Sequence, residues 1–383
     1  MKNKPKIAHV VCTFPPYQGG MGNVARENCR LLAERGYDVT LFTPRYRYLA
    51  DVSEREEKDG FKIFRFKTLI ESGNAALVPQ VVWLLRKYDV IHLHYPFYGA
   101  GIFVGLAKII GPAKLVVHYH MDNIATGAKN VFFRGYRALI LPQLLKLADK
   151  VVVHSRDYAF NCYGSWWLKF FAHKLVEIPN GVDTNSFTPL PNYKDKFLKK
   201  PKQLLFVGGL DKAHYFKGVD ILLQAVSKLR HQDWLLDIVG GGELLEDYRN
   251  KAHLLGLKNK VLFPGRADDP RLREFYRNAY LTILPSFTRG EAFGMVLIES
   301  MSSGTPVLTT NLPGVRVVVD DQINGLLAKP GDAEDLRSKL DYLLTHSSAL
   351  TDMATGGLEK ARQYYDWQII GDKLASLYEN LLS

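Results

Sequence analysis

Apolar and polar positions alternate along this chain in two rhythms, and the switches between them mark out its elements. KIAHVVCTF, residues 6 to 14, is an apolar run with β-branched members and reads as a strand. After the glycine-rich turn YQGGMGN, the segment VARENCRLLAERG repeats its apolar residues at helical spacing, and DVTLFTP reads as the next strand. VIHLHY (90 to 95), KLVVHYH (114 to 120) and KVVVHS (150 to 155) are further strand-like runs, with helical stretches such as YRALILPQLLKLA between them. Strands alternating with helices imply right-handed crossovers and a parallel sheet.

The pattern stops at a Pro, Asn and Lys rich stretch from Ile178 to Lys202 and then restarts. QLLFVGGL, DILLQAVSKL, LLDIVGGG, ELLEDYRNKAHLLG, KVLFPG, LREFYRNA, LTILPS and TPVLTT alternate strand and helix, which predicts a second doubly wound α/β domain. The expected division is a first domain over 1–180, a linker over 181–200, a second domain over 201–355 and a helical segment over 356–383. Within that segment WQIIGDKLASLYENLL (367 to 382) is amphipathic and fits against either domain, so packing back on the first is one option.

Composition agrees with two folded domains. The chain has 383 residues, 47% hydrophobic and 23% charged, enough for two cores and ordinary for globular sequence. Three scattered cysteines offer neither a disulfide framework nor metal-ligand spacing and suit a reducing, cytoplasmic setting. The first apolar run ends in Pro-Pro after about seven residues, too short for a signal peptide or a membrane span. A formal charge of +11 points to an anionic partner: a phosphorylated substrate, a membrane inner face or nucleic acid. No nucleic-acid-binding module accompanies it, so nucleic acid is not the expected partner.

Three glycine clusters follow predicted strands: Gly19, Gly20 and Gly22; Gly208 and Gly209; and Gly240, Gly241 and Gly242. Such turns leave backbone N–H groups free to hold phosphate, and three of them across two matching domains favour a phosphate-bearing ligand. Gly20-x-Gly22-x-x-Ala25 satisfies the dinucleotide fingerprint, which raises an NAD-dependent oxidoreductase as an alternative. Against it, Pro-Pro-Tyr-Gln separates strand from glycines, and DVTLFTPRY lacks the acidic residue that holds a ribose. A Gly-Lys-Ser/Thr phosphate loop is absent.

GEAFGMVLIESMSSGTPVL, Gly290 to Leu308, sets Glu291 in the turn after a predicted strand and Glu299 on the second turn of the helix that follows. A helix N-terminus at the carboxyl edge of a parallel sheet is a ligand site on geometry alone. This Glu-x7-Glu segment, led by Pro285-Ser286, resembles the signature of retaining glycosyltransferases of family 4. The resemblance extends over nearly the whole length: FPPYQGGMGNVARENCRLLAERGYDVTLFT, IHLHYP, VVHYHMD, VVVHS, EIPNGVD and KGVDILLQA. It implies the GT-B fold, two facing Rossmann-like domains with a cleft between them.

The resemblance also implies roles. Glu291 becomes the carboxylate beside the transferred sugar, orienting it without attacking it, and Glu299 the ligand of the ribose hydroxyls. Phe293, Gly294, Met295 and Val296 would offer backbone N–H groups to the diphosphate, Gly20 would bring backbone from the first domain, and Lys217 would neutralise the diphosphate. Family members commonly add an arginine where this chain has Gly209, leaving Lys212, His214 and Arg289 as candidates for the second cation. His120 matches a family histidine near the transferred sugar.

No metal and no cofactor are expected. The set His94, His118, His120 and His154 comes from separate strands without a local ligand motif, and no Asp-x-Asp occurs. Retention of configuration follows from the resemblance alone. The aromatic and basic segments within 129–174 fit an anionic membrane interface as well as a partly buried core. The expected function is transfer of a hexose, with GDP-mannose favoured and a UDP-sugar open, to a glycan or lipid-linked acceptor. The setting is cell-surface polysaccharide or glycolipid synthesis at the inner face of the membrane. The alternatives of another class are the oxidoreductase and a noncatalytic membrane or sugar-binding protein.

Overall fold

The computed structural model of the protein describes residues 4–17, 19–47, 51–123 and 127–383. It separates into two units, one of residues 1–180 with Trp367–Ser383, the other Gly181–Asp366.

In the first unit eight strands form one sheet, in the order β10-β9-β8-β7-β1-β2-β4-β3. They are β1 (Lys6–Val10), β2 (Asp38–Arg45), β3 (Arg55–Lys58), β4 (Phe61–Lys67), β7 (Val90–Tyr95), β8 (Lys114–Tyr119), β9 (Lys150–Val153) and β10 (Leu175–Glu177). A two-stranded hairpin, β5 (Ile70–Ser72) and β6 (Ala75–Leu77), stands apart. Within the eight-stranded sheet only β3 pairs antiparallel, at the edge, where its charged sequence REEK suits exposure. The strand order reverses between β1 and β7.

Helix Gly20–Glu34 buries Met21, Val24, Ala25, Asn28, Cys29, Leu31 and Leu32, the three-and-four spacing that its sequence carries. It ends where Gly36 takes φ +89 and the Tyr37 N–H reaches the Leu32 carbonyl at 3.1 Å, a left-handed cap that favours glycine. Helix Trp367–Leu382 packs beside it. There the Arg35 guanidinium lies against Gly371 and donates to Asp372 at 2.6 Å and to the Gln368 carbonyl at 2.8 Å.

The second unit has six strands, all parallel, in the order β13-β12-β11-β14-β15-β16. These are β11 (Lys202–Val207), β12 (Trp234–Val239), β13 (Val261–Gly265), β14 (Leu281–Leu284), β15 (Val307–Thr310) and β16 (Gly325–Ala328). The order runs outward both ways from the β11/β14 junction, the switch point where doubly wound sheets bind ligands at their carboxyl ends. Leu204, Phe206, Leu236, Ile238, Leu281, Ile283 and Leu308 are buried in one core with the flanking helices.

Two expected boundaries move. The stretch predicted as a linker is packed: Val182 and Phe197 join the second unit's cores, and Lys196 is buried with its ammonium on Thr305. Its Pro, Asn and Lys content marked irregular backbone, and here that backbone is anchored on the second unit by these buried residues, with exposed residues between them. The boundary expected at 355/356 falls inside helix Ser347–Tyr364; the break lies at Tyr365–Asp366, and helix Trp367–Leu382 belongs to the first unit. No described helix is long and apolar enough to cross a membrane.

Candidate active site

The second unit gathers the sequence's candidates around its switch point. β11 leads through Gly208 to a short 3-10 helix, Lys212–Lys217, capped by the Asp211 carboxylate, which accepts from the Ala213 N–H at 2.9 Å and the His214 N–H at 3.2 Å. β14 leads through Pro285 and Ser286 to Glu291. Lys217 and Glu291, 74 residues apart, meet there: the ammonium donates to Glu291 Oε2 at 2.8 Å, and the Ser286 hydroxyl donates to the same oxygen at 3.2 Å. Both charged side chains are mostly sheltered, 14% and 11% exposed, so this pair is less screened than a surface one.

Gly218 makes that approach possible. It sits at φ +78 as the first cap of helix Val219–Val226, and a Cβ there would lie 2.2 Å from the Pro285 carbonyl oxygen. Gly218→Ala therefore combines left-handed strain with a backbone clash, and should cost roughly 3 kcal/mol. Urea unfolding reads this directly; a loss under about 0.5 kcal/mol, an ordinary surface effect, would contradict the packing described.

Gly294, at φ +85, caps helix Met295–Ser302, whose first N–H groups open beside Phe293 and Gly294. The N-terminal end thus presents free donors and positive partial charge where phosphate was expected. Glu299 stands on the second turn of this helix. Burial raises its carboxyl above the usual range and Asp269 adds to this, while a hydrogen bond from Tyr276 and the charge of Lys217 pull the other way. The Tyr276 hydroxyl donates to Glu299 Oε2 at 2.8 Å.

Not every glycine serves a ligand. A Cβ on Gly240 would lie 1.9 Å from the Gly208 carbonyl oxygen, so these two clusters are glycine because their turns pack back to back. Of the second-cation candidates, His214 fills the space over Gly209 but its Nδ1 bonds Asp211 at 2.9 Å. Lys212 donates its backbone N–H to Glu243 at 3.2 Å, and Arg289 is exposed.

Residues 18–186 match the family Glycosyltransferase Family 4, and residues 192–360 match Glycosyl transferases group 1. A phosphatidyl-myo-inositol mannosyltransferase of Mycobacterium leprae is 30% identical over 302 residues, covering 78% of this chain and 75% of that one. The chain belongs to glycosyltransferase family 4.

This transferase is also similar to an uncharacterized glycosyltransferase of Methanocaldococcus jannaschii, 23% identical over 98% of each chain. Among solved structures, sucrose-phosphate synthase of Thermosynechococcus elongatus superposes with a TM-score of 0.79 at 22% identity, covering 99% of each chain. HepE of Anabaena in complex with UDP gives 0.78 at 21% identity, over 98% of this chain and 100% of that one. The two doubly wound units are the Rossmann-like domains of the GT-B fold, and the protein is an enzyme that moves a sugar from a nucleotide sugar.

In the first unit of the transferase, Gly20 opens helix Gly20–Glu34, and a Cβ on it would meet nothing within 4 Å. Gly22, by contrast, abuts the Thr13 carbonyl, where a Cβ would come within 2.7 Å. His120 lies beyond β8 and is buried, both ring nitrogens engaged: His94 Nδ1 at 2.8 Å and His154 Nε2 at 3.1 Å. A ring contact from His120 to a sugar requires one of those bonds to open.

His120 is part of an imidazole layer. His9 on β1 is in register with His92 on β7, and His94 on β7 with His118 on β8. The period of two in VIHLHY and VVHYHM puts each pair on one face. Hydrogen bonds run His118–His92 at 3.2 Å, His92–Tyr378 at 2.6 Å, Tyr378–His9 at 3.3 Å and His9–His94 at 3.0 Å, then on to His120 and His154. Six neutral imidazoles and one phenol carry seven protons between them; six occupy the six links. The seventh belongs to one of the two end rings of the chain, His118 or His154. Which end holds it sets the direction of every link in the chain, and His118 Nε2 has no partner among the described residues.

Separate strands therefore do bring histidines together, contrary to the reason first given for discounting a metal. Ring nitrogens of His94, His118 and His120 lie within 4.8 Å of one another. Two physical facts argue against a cation there. The proton between His94 and His120 would have to be expelled, and the three rings are within 28° of parallel, so their in-plane lone pairs run side by side instead of converging.

Proposed function

We propose that the transferase moves a hexose, with mannose from GDP-mannose the favoured donor, to a hydroxyl of a glycan or lipid-linked acceptor, retaining configuration and using no divalent cation. The observation that carries the reading is the Lys217–Glu291 pair at the switch point, beside the helix that bears Glu299. A diphosphate entering there meets an ammonium and open helix N–H groups, the electrostatic work a cation does elsewhere. Glu291 orients the sugar, and Glu299 takes the ribose hydroxyls. The GDP preference leans on the mannosyltransferase among the relatives. A UDP-sugar is the second reading, favoured by the UDP bound in the Anabaena structure.

The acceptor side is proposed to work at the inner face of the cell membrane. Helix Gly127–Leu139 exposes Val131, Phe132 and Leu139, and helix Ser165–Phe170 exposes Trp166 and Phe170, with the exposed cations Lys129, Arg134 and Lys169 among them. Apolar and aromatic side chains mixed with cations suit an anionic lipid interface.

Turnover of GDP-mannose and UDP-glucose in EDTA, with the product's anomeric configuration read by NMR, tests the reading. The expected result is undiminished turnover of one donor and retained configuration. Loss of activity in EDTA that magnesium or manganese restores would refute metal independence, and an inverted product would refute retention. Co-sedimentation with phosphatidylglycerol vesicles, lost in Trp166→Glu with Phe170→Glu, is expected for the membrane surface; unchanged binding would overturn it.

A further inference from the structure

The environment of Glu299 contains a residue that no motif points to. Tyr276 lies in helix Asp269–Asn278, fully buried, and its hydroxyl donates to Glu299 Oε2 across 23 residues of sequence. A phenol buried this deeply needs a partner for its hydroxyl, and its partner here is a carboxylate that is itself only partly covered. The hydrogen bond therefore reaches from the core up to the site.

The phenol is held from below. The Thr305 hydroxyl donates to the Tyr276 carbonyl at 2.6 Å, and the buried Lys196 ammonium donates to Thr305 and, at 3.3 Å, to the Arg277 carbonyl. Phe187 packs edge-on against the ring, centroids 5.9 Å apart. These contacts fix the end of the helix, and with it the line along which the O–H points.

We propose that Tyr276 is a positioning residue for the nucleotide: it pins Glu299 by one oxygen, in the ionised form, so that the other oxygen faces the vicinal hydroxyls of the ribose. The inference rests on the reading of Glu299 as the ribose ligand. A carboxylate free to rotate spreads its acceptor strength over many directions; one pinned by a buried donor keeps it in one. The donated hydrogen bond also favours the charged form, opposing the effect of burial and of Asp269. Tyr276 touches no reacting atom in this scheme and acts only through Glu299.

Discrimination between ribose and deoxyribose tests it. Calorimetry would compare GDP with 2′-deoxy-GDP, and UDP with 2′-deoxy-UDP, on the wild type, Tyr276→Phe and Glu299→Ala. The wild type is expected to bind its preferred ribonucleotide roughly tenfold or more tighter than the deoxy form, the scale of losing a built hydrogen-bond pair. Tyr276→Phe should shrink that ratio to roughly threefold or less and move the acid limb of binding to higher pH. A merely structural tyrosine would weaken both nucleotides together and leave the ratio alone.

If Glu299→Ala erases the ratio and folded Tyr276→Phe keeps it, the positioning role is overturned while the ribose reading stands. If Glu299→Ala keeps the ratio, the ribose reading itself fails and takes the proposal with it. Should Tyr276→Phe not fold, 3-fluorotyrosine at position 276 preserves shape and makes the hydroxyl a stronger donor. The acid limb of wild-type nucleotide binding must then move to lower pH, and an unmoved limb overturns the inference.

Discussion

In Glu291→Ala, sugar transfer falls by roughly a hundredfold or more, the scale of removing one group that stabilises the transition state, while bare GDP or UDP binds as tightly as before or tighter. The reason lies in the ion pair. Glu291 holds Lys217 at 2.8 Å, so its removal frees an ammonium for the diphosphate at the same time as it deprives the sugar of its partner. Lys217→Ala does the reverse: it removes the phosphate's cation and strands a mostly buried carboxylate. Nucleotide affinity should drop by roughly 10- to 100-fold in Lys217→Ala, the worth of a charge-assisted bond, and by less than about threefold in Lys212→Ala. Calorimetric titration and initial rates on folded variants check the set. Equal losses from the two lysines, or a large loss of bare nucleotide affinity in Glu291→Ala, would show the roles to be misassigned.

Between pH 6.5 and 4 the transferase should lose several kcal/mol of stability as its imidazole layer is forced to take up protons. Burial drives the rings down from the ordinary 6.5, His9 to about 3 and His154 to about 4, and His92, His94, His118 and His120 well below the ordinary value. A histidine whose folded pKa lies below its unfolded one contributes stability in full above 6.5. That contribution fades as pH falls toward the folded value, at about 1.4 kcal/mol per unit for each group before coupling. The remaining influences on these rings are one another and the Ile178 backbone; no carboxylate contributes to hold a charge there. Tyr378→Phe strands His9 Nε2 and His92 Nδ1 together and should cost about 2 kcal/mol even at pH 7.5. Urea unfolding at pH 7.5, 6, 5 and 4.5 measures both effects, and a flat profile down to pH 5 would rule out a neutral layer.

The parts of this molecule that the sequence announces are those in which chemistry and chain neighbourhood coincide. Glu291 and Glu299 sit on one turn and its helix, so their spacing carries their context, and Lys217 stands directly before the Gly218 cap. The alternation of strand and helix likewise yields two doubly wound domains, because parallel strands buried on both faces are written as short apolar runs. What stayed hidden depends on register and on distance along the chain. Nothing local to LREFYRNA says that Tyr276 will reach Glu299. The doubled His-x-His of β7 and β8 was a signal of shared faces, but only the pairing of His9 with His92 and His94 with His118 turns it into a layer. Ser286 was visible as part of the motif, its hydroxyl bond to Glu291 was not. The packed course of residues 181–200 was missed because composition reports the absence of regular structure, and buried irregular backbone shares that composition.

The return of helix Trp367–Leu382 to the first unit makes the second unit an insertion, entered after Asn180 and left at Asp366. A ribosome thus delivers everything needed for the nucleotide-sugar domain before it delivers Tyr378, the residue that closes the imidazole layer laid down by codons 9 and 92. The domain begun first is the one finished last, and its buried histidines wait through the synthesis of the whole intervening domain for the phenol that completes their proton count.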